Sequence, residues 1–101
     1  MSHAPVRVEV RRSGGFAGLV TEHAADTTAL DPPAADELRR LVAELEAADP
    51  PRTARSRGAD RFQYDVTAQQ GTRRRRFTAD DGALTPELRA LVEFVRGTTH
   101  Q

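Results

Sequence analysis

The spacing of the large apolar residues constrains the fold of this chain most strongly, because there are few of them. The 101 residues include eight Leu, eight Val and four Phe and no Ile, close to the fraction of roughly 20% below which chains tend to be disordered. These residues are nevertheless periodic, and the formal net charge is zero, so the high net charge typical of disorder is absent. The sequence therefore predicts one folded domain over residues 1–101, with an ordered core over about residues 5–97.

Two stretches of apolar and polar alternation predict strands. Val alternates with charged residues over residues 6–10, and a second alternating stretch covers residues 62–68. Ser13 and the glycines after it are expected to end the first strand. Each alternating strand is expected to pair with the strand that follows it, over residues 19–23 and 72–79, through a hairpin. Residues 24–30 are expected to form a loop.

Two further stretches have helical spacing and helix-start signals. The first follows Asp31 and two prolines, so we expect the Asp31 side chain to cap it and Pro50 to lie beyond its end. The second follows Thr85 as the cap and Pro86, and ends near Gly97. The apolar stripes are Leu38, Leu41, Val42 and Leu45, and Leu88, Leu91, Val92 and Val95. Together the patterns predict an α+β fold of the order ββαββα, with a four-stranded, antiparallel-rich sheet covered by two helices.

The expected topology brings three loops together at one end of the sheet. A helical crossover normally returns the next strand parallel to the previous one, so the third strand begins at the end where the first hairpin turns. The loops gathered there cover residues 13–18, 52–60 and 80–83. We expect the binding surface at this end, because loops on a rigid scaffold commonly carry function.

The composition excludes several functional classes. The chain has no Cys, which removes disulfides, thiolate nucleophiles and Cys-based metal sites. Its histidines are His3, His23 and His100, two of them near the termini, so neither a catalytic nor a metal-binding cluster is expected. No run approaches the roughly 20 apolar residues of a membrane helix, and no secretory signal is evident. We expect a cytoplasmic monomer that is not an enzyme, has no cofactor or metal of its own and does not contact membranes.

Four consecutive arginines, Arg73 to Arg76, form the sharpest charge run. In a strand they project two to each face, with Arg73 and Arg75 on the side of Phe77. One interpretation is an edge strand protected from aggregation by charge and paired with acidic residues. The alternative is a small nucleic-acid binding module that uses the Arg73–Arg76 patch, although zero net charge gives the whole molecule no attracting field.

Phe16 and the two adjacent carboxylates at Asp80 and Asp81 are the other candidate site residues. Phe16 lies between Gly15 and Ala17 and has little apolar company within its own loop. It is either an anchor for a partner or packed back on the sheet. Asp80 and Asp81 follow a strand, where such residues commonly form turns.

Three segments taken together resemble the emfourin family. They are Arg-Ser-Gly-Gly-Phe-Ala-Gly over residues 12–18, Gly-Ala-Asp-Arg-Phe-Gln-Tyr over residues 58–64, and Asp-Gly-Ala-Leu over residues 81–84. They occur in the same order with matching helices, and the resemblance extends over residues 6–96. Emfourins are small protein inhibitors of protealysin-like metalloproteases of the thermolysin family. The resemblance implies the same α+β domain and a cytoplasmic inhibitor whose partner is such a protease.

The resemblance also implies a mechanism with two neighbouring loops. One supplies an Asp carboxylate to the catalytic zinc of the protease, and the other fills substrate pockets with apolar side chains. A carboxylate is a good zinc ligand and displaces the water that the metal would otherwise activate. The first candidates on this chain are Gly15, Phe16, Ala17 and Leu19 for the apolar loop, and Asp60 for the carboxylate.

Other residues remain alternatives for these roles. Asp80, Asp81 and the stretch of residues 26–31 are alternative sources of the carboxylate, and Arg57 is a secondary candidate for a contact with the partner. Asp60 has a competing interpretation, in which it caps or braces the start of the adjacent strand.

Overall fold

The structure is a computed structural model that describes residues 4–14, 18–56 and 62–98. The strands are β1 (Val6–Gly14), β2 (Leu19–Asp26), β3 (Thr53–Ala54), β4 (Phe62–Gln70) and β5 (Arg73–Asp80), and the helices are α1 (Pro32–Ala48) and α2 (Pro86–Thr98). The expected α+β class, both helices and the four long strands are confirmed. The sheet contains one strand more than expected.

The sheet has the order β2-β1-β4-β5-β3 and is antiparallel except where β3 runs parallel to β5. The additional strand β3 lies in a segment expected to be a loop, because two residues are too few for alternation to be recognised. It covers only the last part of β5, pairing with Thr78 and Ala79. The arginine-rich first half of β5 therefore has no neighbouring strand on its outer side within the described residues.

Two strands of the first hairpin are longer than the sequence indicates. Ser13 does not end β1, which continues to Gly14 because this central strand has partners on both sides, Leu19 on β2 and Phe62 on β4. Gly14 has a positive φ of 99°, which glycine adopts without strain. At its other end β2 continues to Asp26, through residues expected to be a loop, and its buried Ala25 pairs with Val8.

The two helices begin in different ways. Asp31 occupies the N-cap position of α1, but its side chain makes no capping hydrogen bond, so the expected cap is wrong. Pro33 at the second helical position has no N–H to donate, which removes one of the two usual partners of a capping carboxylate. The Thr85 cap of α2 is confirmed, since the Leu88 N–H donates to Thr85 Oγ1 over 3.2 Å.

Both helices cover the same face of the sheet, and the core lies between them and the sheet. The expected apolar stripes of α1 and α2 are buried there, together with the inward-facing residues of β1, β4 and β5. Phe77 is the largest wholly buried side chain, with 1% of its surface exposed. Tyr64 and Phe62 also pack in this core, so they are not exposed platforms for stacking nucleic-acid bases. The opposite sheet face bears mainly polar and charged residues, and none of the described helices covers it.

Candidate functional site

One end of the sheet gathers the strand termini that carry the loops. The register places Gly14 opposite both Leu19 and Phe62, and Gln63 opposite Asp80. The start of β2, the end of β1, the start of β4 and the end of β5 therefore lie side by side. Because β2 and β4 are each antiparallel to β1, they run in the same direction, as the crossover rule predicts. We call this the loop end of the sheet.

The candidate site residues divide into two groups. Leu19, Asp80 and Asp81 are described and lie at the loop end. The others, Gly15, Phe16, Ala17, Arg57 and Asp60, lie outside the described residues. Each of these is joined to the loop end through described neighbours, Gly14 and Gly18 on the first loop and Ser56 and Phe62 on the second.

Two large apolar side chains are exposed at the start of β2. Leu19 has 65% and Val20 49% of its surface accessible, and they are the exposed large hydrophobic residues of the described part of the chain. As consecutive strand residues they point to opposite faces of the sheet. Val20 was missed at the sequence level, although two adjacent apolar residues at a strand start already break the alternation. Exposed apolar side chains beside clustered loops are typical of a contact surface.

The Asp80 carboxylate is used within the protein. Its Oδ2 accepts a hydrogen bond from the Ser56 N–H at 2.6 Å, and its Oδ1 accepts one from the Ser56 hydroxyl at 2.6 Å. Oδ1 also accepts the Gly82 N–H at 3.0 Å. Both oxygens thus bind the chain that leaves β3 and the turn that follows β5. The spacing of the sequence gives no sign of the contact with Ser56.

The neighbouring Asp81 uses its backbone rather than its side chain. Its N–H donates to the Phe62 carbonyl at 3.0 Å, and its carbonyl accepts from the Arg89 guanidinium at 3.0 Å. Its partly buried carboxylate has no hydrogen bond or ion pair with any described residue. Of the two adjacent carboxylates at the loop end, Asp81 is therefore the one that is available to a partner.

A cation–π contact joins the two central strands near the loop end. The Arg12 guanidinium lies 3.6 Å from the centre of the Phe62 ring. Arg12 is on β1 just before the first loop, and Phe62 begins β4 just after the second. Such contacts contribute about 0.5 to 2 kcal/mol, depending on how far the pair is desolvated. The sequence signal was an Arg in the inward register of Val8 and Val10, which was not recognised.

The stretch of residues 26–31 lies at the opposite end of the sheet. Asp26 is the last residue of β2 and Leu19 the first, so the two are about 24 Å apart along an extended strand. The Asp26 carboxylate accepts hydrogen bonds from the N–H and the hydroxyl of Thr28 at 2.9 and 2.7 Å, and Arg7 lies 3.7 Å away. These contacts, above all the Thr28 N–H, hold the pKa of Asp26 below its ordinary value. The geometry separates this carboxylate from the loops.

The arginine run of β5 is largely paired with acidic residues. Arg73 and Arg75 lie on the Phe77 side, as expected, and the Arg75 guanidinium is 5.3 Å from the Phe77 ring centre. The ion pairs are Arg73–Glu46 at 3.3 Å, Arg75–Asp49 at 2.7 Å and Arg76–Asp65 at 3.6 Å. The uncovered outer edge and the ion pairs agree with a charged edge strand. The ion pairs also reduce the positive charge that is available to phosphate groups.

Within ranges 4–14, 18–56 and 62–98, no three His, Asp or Glu side chains are placed to hold a metal ion. No helix in these ranges is both long enough and apolar enough to cross a membrane.

The collection of loop-bearing strand ends at one end of a small α+β domain, next to exposed apolar side chains, is an arrangement typical of a loop-presenting binding domain. The chain belongs to the Emfourin family, which it matches over residues 10–96. Membership confirms the resemblance and supports a role of the protease-inhibitor type in general, in agreement with a protein that is not an enzyme. Comparison with curated proteins and with solved structures found no match.

Proposed function

We propose that this protein inhibits a thermolysin-like zinc metalloprotease of the protealysin type by covering its active site with the loop end of the sheet. The observation that carries the proposal is the adjacency of Gly14, Leu19 and Phe62, which brings the two loop-bearing parts of the chain together. Two adjacent loops on one five-stranded sheet can reach neighbouring parts of one active-site cleft. Membership in the Emfourin family supports a protease as the partner. We further propose that inhibition takes place in the cytoplasm.

The apolar part of the contact comes from the first loop and the start of β2. In the proposed complex Phe16, supported by Gly15 and Ala17, and Leu19 enter substrate pockets that favour bulky apolar groups. The exposure of Leu19 in the free protein supports this role, because its side chain gains burial only when a partner covers it. Val20 contacts the rim on the other face of the strand.

The carboxylate part comes from the second loop. We propose that Asp60 binds the catalytic zinc of the protease and displaces its activated water, with Arg57 as a further contact. Asp81 is the alternative, since its carboxylate has no described partner. Asp80 is disfavoured because both of its oxygens already accept hydrogen bonds. The inhibitor itself needs no metal, because the zinc belongs to the protease.

A titration tests the proposal directly. A thermolysin-like protease is titrated with the protein while it hydrolyses a short peptide substrate, and the inhibitor is examined afterwards for cleavage. We expect stoichiometric loss of activity with the inhibitor intact. Phe16→Ala should make the binding free energy less favourable by about 1 to 4 kcal/mol, as for a buried aromatic anchor. Absence of inhibition across several such proteases contradicts the proposal.

Matched substitutions then assign the carboxylate. Asp60→Asn and Asp81→Asn make the same change in charge at two positions, and only the zinc ligand should lose most of its inhibition. If both variants inhibit as the wild type does, the zinc contact is refuted.

Salt dependence separates inhibition from the nucleic-acid alternative. Binding through Arg73 to Arg76 would weaken steeply as salt increases, whereas a contact of apolar side chains and a zinc-bound carboxylate changes far less.

A further inference from the structure

The connection from β3 to β4 has its two described ends on opposite sides of β5. In the sheet β3 and β4 lie on either side of β5, and both connect at the loop end. The connection leaves β3 after Ala54 and enters β4 at Phe62. Its two ends are therefore separated by about two strand spacings, roughly 9.6 Å, with the last residues of β5 between them.

The two ends of this connection are hydrogen-bonded to Asp80, the last residue of β5, and to Asp81, the residue after it. On one side the Ser56 N–H and hydroxyl donate to the Asp80 carboxylate, each at 2.6 Å. On the other side the Phe62 carbonyl accepts the Asp81 N–H at 3.0 Å. The same carboxylate also binds the Gly82 N–H, so it fixes the exit of β5 at the same time. We call this arrangement the Asp80 clamp, and it consists of Ser56, Phe62, Asp80, Asp81 and Gly82.

We propose that Asp80 is a positioning residue for protease inhibition, a role that rests on the proposed function above. By holding Ser56, it fixes one end of the connection that carries Asp60, while residues 57–61 themselves lie outside the described part of the chain. A segment with fixed ends loses less conformational entropy on binding, so the clamp contributes to affinity without touching the protease. This positioning role gives the Asp80 carboxylate a function other than binding zinc.

The chemistry of the clamp requires two acceptor oxygens. An Asn at position 80 has one carbonyl oxygen and one NH₂ group, which cannot accept a hydrogen bond. If the NH₂ replaces Oδ2 it faces the Ser56 N–H, and if it replaces Oδ1 it faces the Gly82 N–H. In either orientation one of these two backbone N–H groups loses its acceptor and can hydrogen-bond only with water. Asp80→Asn is therefore a nearly isosteric substitution that opens one side of the clamp.

The protein offers a close control at the other end of the sheet. Asp26 also accepts hydrogen bonds from the N–H and the hydroxyl of one residue, Thr28, but it uses a single oxygen, Oδ1, for both. Asp26→Asn makes the same change in charge about 24 Å along β2 from the loop end, and it removes the ion pair of Oδ2 with Arg7 while one oxygen still accepts both Thr28 bonds. An effect on inhibition that comes only from the lost negative charge should appear in both variants.

The experiment measures inhibition constants of a thermolysin-like protease for the wild type, Asp80→Asn, Ser56→Ala, the double variant and Asp26→Asn. We expect Asp80→Asn to weaken inhibition by about ten- to hundredfold and Ser56→Ala by about two- to tenfold. The double variant should lose less than the product of the two single losses, because both substitutions disturb the same contact. Asp26→Asn should inhibit as the wild type does.

Amide hydrogen exchange followed by NMR gives a readout that needs no protease. The Ser56 amide should exchange faster in Asp80→Asn, while amides of the buried strands keep their protection. If Asp80 instead bound zinc, Ser56→Ala would leave inhibition unchanged, which would overturn the positioning role. Equal inhibition by wild type and Asp80→Asn would overturn it too. Wild-type protein that fails to inhibit refutes the proposed function, whatever the exchange data show. If Asp80→Asn does not fold, the positioning role is tested by the inhibition constant of Ser56→Ala and by the exchange rate of its residue 56 amide.

Discussion

Removing the Leu19 side chain should weaken inhibition by an amount that follows from its exposure. Complete burial of a Leu side chain stabilises by about 1.5 to 3 kcal/mol. Because 65% of Leu19 is exposed in the free protein, roughly two thirds of this, about 1 to 2 kcal/mol, is available to a partner. Leu19→Ala should therefore raise the inhibition constant by a factor of about 5 to 30.

The assay compares this variant with Val20→Ala, the neighbouring exposed apolar residue on the other sheet face. Val20 is 49% exposed, so the same reasoning gives it an upper limit of about 0.7 to 1.5 kcal/mol. Inhibition constants are measured with a short peptide substrate, and thermal unfolding of each variant is measured alongside. Both substitutions should leave the unfolding temperature nearly unchanged, because surface changes away from special features alter stability by no more than about 0.5 kcal/mol.

Two results would refute the reasoning. If Leu19→Ala inhibits as well as the wild type, Leu19 is not covered by the protease and the apolar contact lies elsewhere. If inhibition falls in parallel with a large loss of stability, then Leu19 supports the hairpin rather than the partner. A larger loss for Val20→Ala than for Leu19→Ala would show that the opposite sheet face is turned toward the protease.

Three further predictions concern stability. Thr85→Ala removes the cap of α2 and should cost about 1 kcal/mol, or about 4–8 °C in thermal unfolding, whereas Thr85→Ser keeps the hydroxyl and should restore it. Asp26 has a lowered pKa in the folded state, so its contribution is present at neutral pH and is lost as the pH falls below about 4; Asp26→Asn should flatten the pH dependence of the unfolding free energy in this range. Phe77→Ala should cost about 3 to 5 kcal/mol in urea denaturation, and a cost below 1 kcal/mol would contradict its central place in the core.

Elements with a regular apolar period were predictable from the sequence. The stripes of α1 and α2 and the alternation in β1 and β4 each place several residues on one buried face, and the structure buries them there. The short β3 and the second half of β2 carry no such period. They form because neighbouring strands offer backbone N–H and C=O groups for pairing, and the spacing of apolar residues in the sequence does not show where such groups lie. The Asp31 cap was wrong for a local reason, since Pro33 removes a donor.

The gathering of the loop-bearing strand ends at one end of the sheet was predictable, but the contacts among them were not. The crossover rule alone brings the loops to one end of the sheet, and the register confirms it. The bond between Ser56 and Asp80 joins residues 24 positions apart, and no local pattern marks it. The Arg12 stack on Phe62 likewise depends on the pairing of β1 with β4. Side-chain contacts between distant segments need the fold before they can be recognised.

The pairing of β1 with β4 also governs when the site can exist during folding. The two hairpins are local, but Val10 pairs with Val66, which is 56 positions later in the chain. Contacts of such long sequence separation form slowly, because a large loop must be closed before they stabilise anything. Until this pairing forms, Gly14 and Phe62 are not neighbours and the two loops belong to separate halves. Neither half of the chain, synthesised as a separate fragment, assembles the loop end.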